Sequence, residues 1–206
     1  TTPTFSITAD STWGENPKAG PRNLVDRDST THWRSGNDIT ESGGSSLISM
    51  RWSEARTISS LVLVRGSDEA MPKDIVIYAG TEARSAPVTE DGIVNFDPIT
   101  TDALTLQTNY APVPLEDRTS SRVMGFGSID IPAVTDLYPG PVDRLTPYVS
   151  ACSDGPIVIT GSTSVSYSVA TSAGALIDGT PFSLLPCSND RVELTAGTTM
   201  LDASSG

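Results

Sequence analysis

The chain has 206 residues, enough for one large or two small domains, and carries a net charge of −12 from 25 acidic against 13 basic side chains. That balance repels phosphate backbones and anionic lipid, which sets nucleic acid and acidic membrane surfaces aside as partners. No run approaches the roughly 18 consecutive apolar residues of a bilayer-spanning helix, and the start at Thr1-Thr2-Pro3, without an initiator methionine, reads as a fragment or a mature product.

Seventeen glycines and 15 prolines recur at short intervals, so helical periodicity is rarely sustained and the predicted elements are strands. In chain order, Phe5-Ile7-Ala9 and Ile48-Met50-Trp52 alternate with polar residues, the period-2 pattern of a half-buried strand. The runs Leu61-Val62-Leu63-Val64 and Ile75-Val76-Ile77-Tyr78 are continuously apolar between Gly66, Pro72 and Gly80, which predicts central strands lying deepest in the core. Ile93-Val94, Leu104-Thr105-Leu106 and Ile129-Ile131 complete the seven or eight strands of an antiparallel β-sandwich over about residues 4–134. A Pro-rich passage from Ile131-Pro132 to Pro147 then marks a boundary. The predicted division is a sandwich over 1–135 and a small β appendage over 136–206, with short strands at Ile157–Ile159, Val165–Val169, Phe182–Leu185 and Val192–Leu194.

The two cysteines, Cys152 and Cys187, both lie in the appendage, without the CxxC spacing of a zinc site. A disulfide and two free buried thiols are the alternatives. The disulfide would favour a small β unit with a modest core, and it would imply an oxidising, extracytoplasmic compartment.

The most informative segment is Asn23-Leu24-Val25-Asp26-Arg27-Asp28-Ser29-Thr30-Thr31-His32-Trp33. Its Asp-x-Asp spacing followed by hydroxyls can offer carboxylates, a hydroxyl and backbone carbonyls to Ca²⁺, which takes about six to eight oxygens. The other reading is an Asx-rich turn that satisfies its own backbone. It is not an EF-hand, because Thr31 and Asn37 stand where that loop needs glycine and glutamate.

Together with Ala9-Asp10-Ser11, Arg51-Trp52 and Arg56-Thr57-Ile58-Ser59-Ser60-Leu61-Val62-Leu63, this segment resembles the discoidin, or coagulation-factor C-type, family, whose bacterial members include galactose-binding-like carbohydrate modules. The resemblance covers about residues 4–134. It implies a jelly-roll sandwich, a structural calcium held by Asp26, Asp28 and Thr31, and a core position for Trp33. Two positions depart from the family pattern. Arg27 stands in place of a turn glycine, and Ser128 stands where a glutamate ligand is common, with Asp130 nearby on the same strand. Trp52, in phase with Ile48 and Met50, reads as core.

Trp13 lies between Asp10-Ser11-Thr12 and Gly14-Glu15-Asn16-Pro17, and reads either as a lid on the sandwich or as a stacking surface for a sugar, with Glu15 and Asn16 as hydrogen-bonding neighbours. His32, the sole histidine, is either a satisfied structural residue or, with Arg34 beside it in the loop, a donor to ligand hydroxyls. Arg118 and Arg122 form a weaker pair of the same kind.

The order Ser11-Thr12-Trp13-Gly14, Gly20-Pro21, the Asp26 loop and Met124-Gly125-Phe126-Gly127, followed by the cysteine-bearing segment, is similar to accessory regions of actinobacterial arabinofuranosyltransferases. That resemblance implies a non-catalytic, extracytoplasmic module of a membrane-bound glycosyltransferase, monomeric in itself, that binds a neutral cell-wall glycan such as arabinan or galactan. The competing function is an extracellular protein-binding or adhesion domain, since a sandwich of this type hosts many ligands. An enzymatic role finds no Gly-x-Ser-x-Gly elbow, no His-Glu-x-x-His and no phosphate-cradling loop.

Overall fold

In the computed structural model, residues 5–117, 119–160, 163–188 and 202–204 are described. They fold as an all-β chain of antiparallel sheets that divides into two compact units, Thr1–Pro141 and Val142–Gly206.

The first unit is a sandwich of eight strands: β1 (Ser6–Ala9), β2 (Trp33–Asp38), β3 (Gly44–Val64), β4 (Asp74–Ala79), β5 (Glu82–Pro87), β6 (Ile93–Tyr110), β7 (Val123–Phe126) and β8 (Ser128–Asp130). Its larger sheet runs β1-β3-β6-β4-β5, with β8 also paired to the end of β3, and a smaller sheet pairs β2 with β7. The long strands β3 and β6 form the spine. Their register shifts between Arg51 and Arg56 and again between Ile58 and Ser60. Such bulges bend a strand and reset which side chains face inward. Accordingly, Ile48, Met50, Trp52 and Ile58 are buried on even positions, whereas Leu61 and Leu63 are buried on odd ones.

The two continuously apolar runs lie on interior strands of the large sheet, β3 and β4, as expected, and their deepest side chains fill one face. Leu61 and Leu63 are buried, but Val64 is 48% exposed; Ile75 and Ile77 are buried, but Tyr78 is 38% exposed. Within this unit a layer covers the face that carries Leu61 and Ile75, and Val64 and Tyr78 point away from it. That layer consists of the β2–β7 pair and the short 3-10 turns before β2, which bring Trp33, Phe126, Leu24 and Val25 into the same core as Ile48, Leu61, Ile75 and Leu106. The Trp33 and Phe126 rings, opposite each other in the β2–β7 register, meet edge to face at 5.4 Å. Trp52 is also core, its indole N–H donating to the Thr101 carbonyl at 3.1 Å.

The unit extends past the predicted limit at residue 135, because the chain folds back after β8. Val134 and Tyr138 join the core, the Tyr138 ring meets Phe5 edge-on at 5.0 Å, and the Tyr138 hydroxyl accepts the Ile131 amide at 3.1 Å. Burial of that phenol holds its pKa well above the ordinary tyrosine value.

The second unit contains β9 (Pro147–Val149), β10 (Ile157–Thr160), β11 (Thr163–Ser172), β12 (Ser183–Pro186) and β13 (Asp202–Ser204), in sheet order β12-β11-β10-β13 with β9 paired to β11. A single helical turn and a half, α1 (Ala173–Asp178), follows β11; Ser172 caps it by accepting the Ala175 amide at 3.2 Å. Cys152 and Cys187 are joined in a disulfide with their Cα atoms 5.9 Å apart. The predicted strand at Val192–Leu194 lies outside the described residues. No helix among the described residues is long and apolar enough to cross a membrane.

Candidate functional site

The site gathers where the segment 10–16 lies against β2. Ser11 fastens the two together: its carbonyl accepts the Trp33 indole N–H at 3.2 Å, and its hydroxyl lies 2.8 Å from the Ser35 hydroxyl and accepts the Gly36 amide at 3.2 Å. The next residues turn outward in a 3-10 turn, Trp13–Glu15, and leave the Trp13 ring 51% exposed. Asn16 closes this turn, its side-chain oxygen accepting the Lys18 amide at 3.0 Å. The side chain of Glu15 falls outside the described set.

Alternation around Trp33 does the rest. With Trp33 pointing into the core, His32 and Arg34 project from the opposite side of the chain. Arg34 belongs to β2 rather than to the loop in which it was expected, and its guanidinium carbon sits 5.2 Å from the centre of the Trp13 ring, a cation–π contact. Both basic residues face a carboxylate that the sequence reading missed. Glu69, on the connection after β3, has a side chain 1% exposed, with Oε1 3.6 Å from His32 Nε2 and 3.9 Å from Arg34 Nε; its Oε2 accepts the Asp68 amide at 3.2 Å. Arg34 Nε is buried and has no hydrogen-bond partner.

Two glycines make room for this carboxylate. A Cβ on Gly66 would lie 2.0 Å from Glu69 Oε2, and one on Gly125 would lie 2.7 Å from Glu69 Cγ and 2.3 Å from the Trp33 carbonyl. The arrangement is therefore built by three separated segments of chain. The only sign of it in the sequence is an acid following a glycine-bounded strand end, which is too common a pattern to single Glu69 out.

The Asp26 loop adjoins this cluster. Asp26 is buried; one carboxylate oxygen accepts the Asp28 amide and the other the Thr31 hydroxyl, each at 2.9 Å. Burial raises the Asp26 pKa, and those two hydrogen bonds pull against the rise. Asp28 turns back on Thr30, accepting its amide at 2.9 Å and its hydroxyl at 2.6 Å. Arg27 takes the left-handed conformation itself, at φ 60°, where the family pattern has glycine, and its guanidinium is drawn off to the Thr135 carbonyl at 2.5 Å. The donors Asp26, Asp28 and Thr31 are all oxygen, the right kind for a hard cation. As folded, however, the loop is closed by its own hydrogen bonds, and no group of three or more His, Cys, Asp or Glu side chains is gathered among the described residues. Ser128 and Asp130 lie on β8, opposite Val64 and Val62 of β3.

Arg118 lies outside the described residues. Arg122 ties loops together, donating to the Ile39 carbonyl at 3.3 Å and to the Pro114 carbonyl, and is not part of the Trp13 cluster.

The exposed Trp13 indole is thus backed by the Arg34 guanidinium, and the His32 imidazole faces the same carboxylate as Arg34. At the level of sequence, the chain is 27% identical over 199 residues to an alpha-(1->3)-arabinofuranosyltransferase of Mycolicibacterium smegmatis, matching 88% of this chain and 14% of that protein. In structure, it resembles the arabinofuranosyltransferase AftD from Mycobacteria, with a TM-score of 0.65 and 19% identity over 98% of this chain and 16% of that one. The chain thus spans about one-seventh of these much longer proteins. A module of Clostridium perfringens solved in complex with GalNAc-beta-1,3-galactose overlaps 62% of this chain and 94% of its own at a TM-score of 0.45 and 10% identity. No family model matches the chain.

Proposed function

We propose that the first unit is a non-catalytic carbohydrate-binding module of an arabinofuranosyltransferase, located on the outer face of the plasma membrane and recognising a neutral cell-wall glycan such as arabinan or galactan. The observation that carries this reading is the Trp13 ring, half exposed and backed by Arg34 at 5.2 Å. One ring face stacks on a sugar's C–H surface while His32 and Arg34 offer hydrogen bonds to its hydroxyls. The sequence similarity to an arabinofuranosyltransferase supports the parent class. The disulfide supports an oxidising compartment.

Titrating the chain with arabinan and galactan oligosaccharides while following tryptophan fluorescence tests the proposal. Saturable quenching is expected, and Trp13→Ala should weaken binding about tenfold, or roughly 1.4 kcal/mol, with the melting temperature unchanged. No response to any glycan, or a protein partner that free sugars fail to displace, would overturn it in favour of an adhesion role.

Calcium remains part of the proposal, at Asp26, Asp28 and Thr31. Added Ca²⁺ is then expected to raise the melting temperature and a chelator to lower it. A temperature that moves with neither would show that the loop's own hydrogen bonds suffice.

A further inference from the structure

Beside the Trp13 cluster lies a cleft of about 480 Å³, walled on one side by the loop from Arg27 to His32 and on the other by the segments 64–67 and 127–128. Strand register joins the two parts of the second wall, because Val64 pairs with Ser128 and the Gly127 amide donates to the Val64 carbonyl at 2.8 Å. The cleft runs against the charge of the rest of the chain. Acids outnumber bases 25 to 13 overall, yet this lining includes two arginines, Arg27 and Arg65, and His32, whose ring faces Glu69 behind the wall, against the single acid Asp28.

Oδ1 of that acid accepts the Thr30 amide and hydroxyl. Arg27 is anchored through a neutral carbonyl, that of Thr135, which fixes the side chain without cancelling its charge. Arg65 is exposed and forms no ion pair among the described residues. The remaining lining is rich in hydroxyls, among them Ser67 and Ser128. Guanidinium groups select planar or tetrahedral oxyanions, and hydroxyls suit the alcohols around them.

We infer that this cleft is an oxyanion-binding subsite for a carboxylate or phosphomonoester carried on a polyhydroxylated molecule. It goes beyond the neutral-glycan reading and does not depend on Trp13. A charged substituent seated between Arg27 and Arg65 would give the module a second point of recognition, with its own salt dependence.

The test is an NMR titration of the whole chain, in the presence of chelator, with inorganic phosphate, glucuronate and uncharged glucose as probes. Saturable shifts of the amides in 27–32, 65–67 and 127–128 are expected with an oxyanion and not with glucose, weakening as salt is added. A response to phosphate alone assigns a phosphomonoester, and a response to glucuronate alone assigns a carboxylate. Arg65→Gln, at an exposed position, should lower oxyanion affinity about tenfold without changing the melting temperature, whereas Trp13→Ala should leave it intact. Absence of saturable shifts with both anions, equal shifts with glucose, or an Arg65→Gln variant that binds as well as the parent would overturn the assignment. Because Trp13→Ala reads the sugar site and Arg65→Gln reads this one, either can fail without the other.

Discussion

Replacing Trp33 with alanine is expected to destabilise the first unit by about 3–5 kcal/mol, the range for removing a large aromatic from a packed core. Trp33 is fully buried, meets Phe126 edge to face at 5.4 Å, and donates its indole N–H to the Ser11 carbonyl. Three losses therefore coincide: apolar burial, an aromatic pair, and the bond that fastens the segment carrying Trp13 to β2. Trp33→Phe should recover most of the burial but not the bond to Ser11. Thermal or urea unfolding of the two variants separates these contributions. The alanine variant should also lose glycan binding through the loosened Trp13 turn, whereas Trp13→Ala should lose binding with stability intact. If Trp33→Ala unfolds at the same denaturant concentration as the parent, the small β2–β7 sheet is not the lid of the core.

The contrast between these tryptophans shows what could be read before the fold was known. Period-2 alternation marked β1, the first half of β3 and the inward residues of β6, because one-sided burial of a strand writes itself directly into side-chain polarity. Trp52 was legible as core for the same reason, and Trp33 through the family resemblance. The apolar runs at 61–64 and 75–78 marked interior strands of the sheet, although continuous hydrophobicity did not tell that Val64 and Tyr78 face outward. The phase reset is also written in the sequence, because Ile58-Ser59-Ser60-Leu61 sets two polar residues in succession where the bulge lies.

The candidate site was legible in its parts and not in its assembly. Trp13, His32 and Arg34 were recognisable as polar or aromatic residues in unusual surroundings. What brings them to one place is the docking of residue 11 onto β2, a tertiary event with no local signature. The Asp26 loop presents the opposite case. Its spacing suggested both a cation site and a self-satisfied turn, and the hydrogen bonds to Asp28 and Thr31 show how the second arises within the same residues. Arg27 at φ 60° adds a further lesson, for a family glycine marks a backbone conformation, and that conformation is kept here by a residue for which it is costly.

Glu69 was invisible in the sequence, and its replacement carries the second large expected effect. Its side chain is 1% exposed and faces His32 and Arg34 at 3.6 and 3.9 Å, so Glu69→Ala removes the counter-charge from an Arg34 whose buried Nε has no hydrogen-bond partner. Breaking a pair in which one partner is buried leaves the other charge uncompensated. Because His32 and Arg34 are themselves partly exposed, water recovers part of that cost, and a loss of about 2–3 kcal/mol is expected. Glu69→Gln keeps the shape that Gly66 and Gly125 accommodate, and it should cost less stability while still weakening the hold on both basic side chains. If Glu69 positions the donors of the binding site, Glu69→Gln will fold with a modest loss of melting temperature yet bind glycan more weakly than its stability predicts, because Arg34 no longer stays under the Trp13 ring. If instead the carboxylate serves only to fill the space behind β2, Glu69→Gln will bind as the parent does, and the cluster is a packing device on which the exposed indole does not depend.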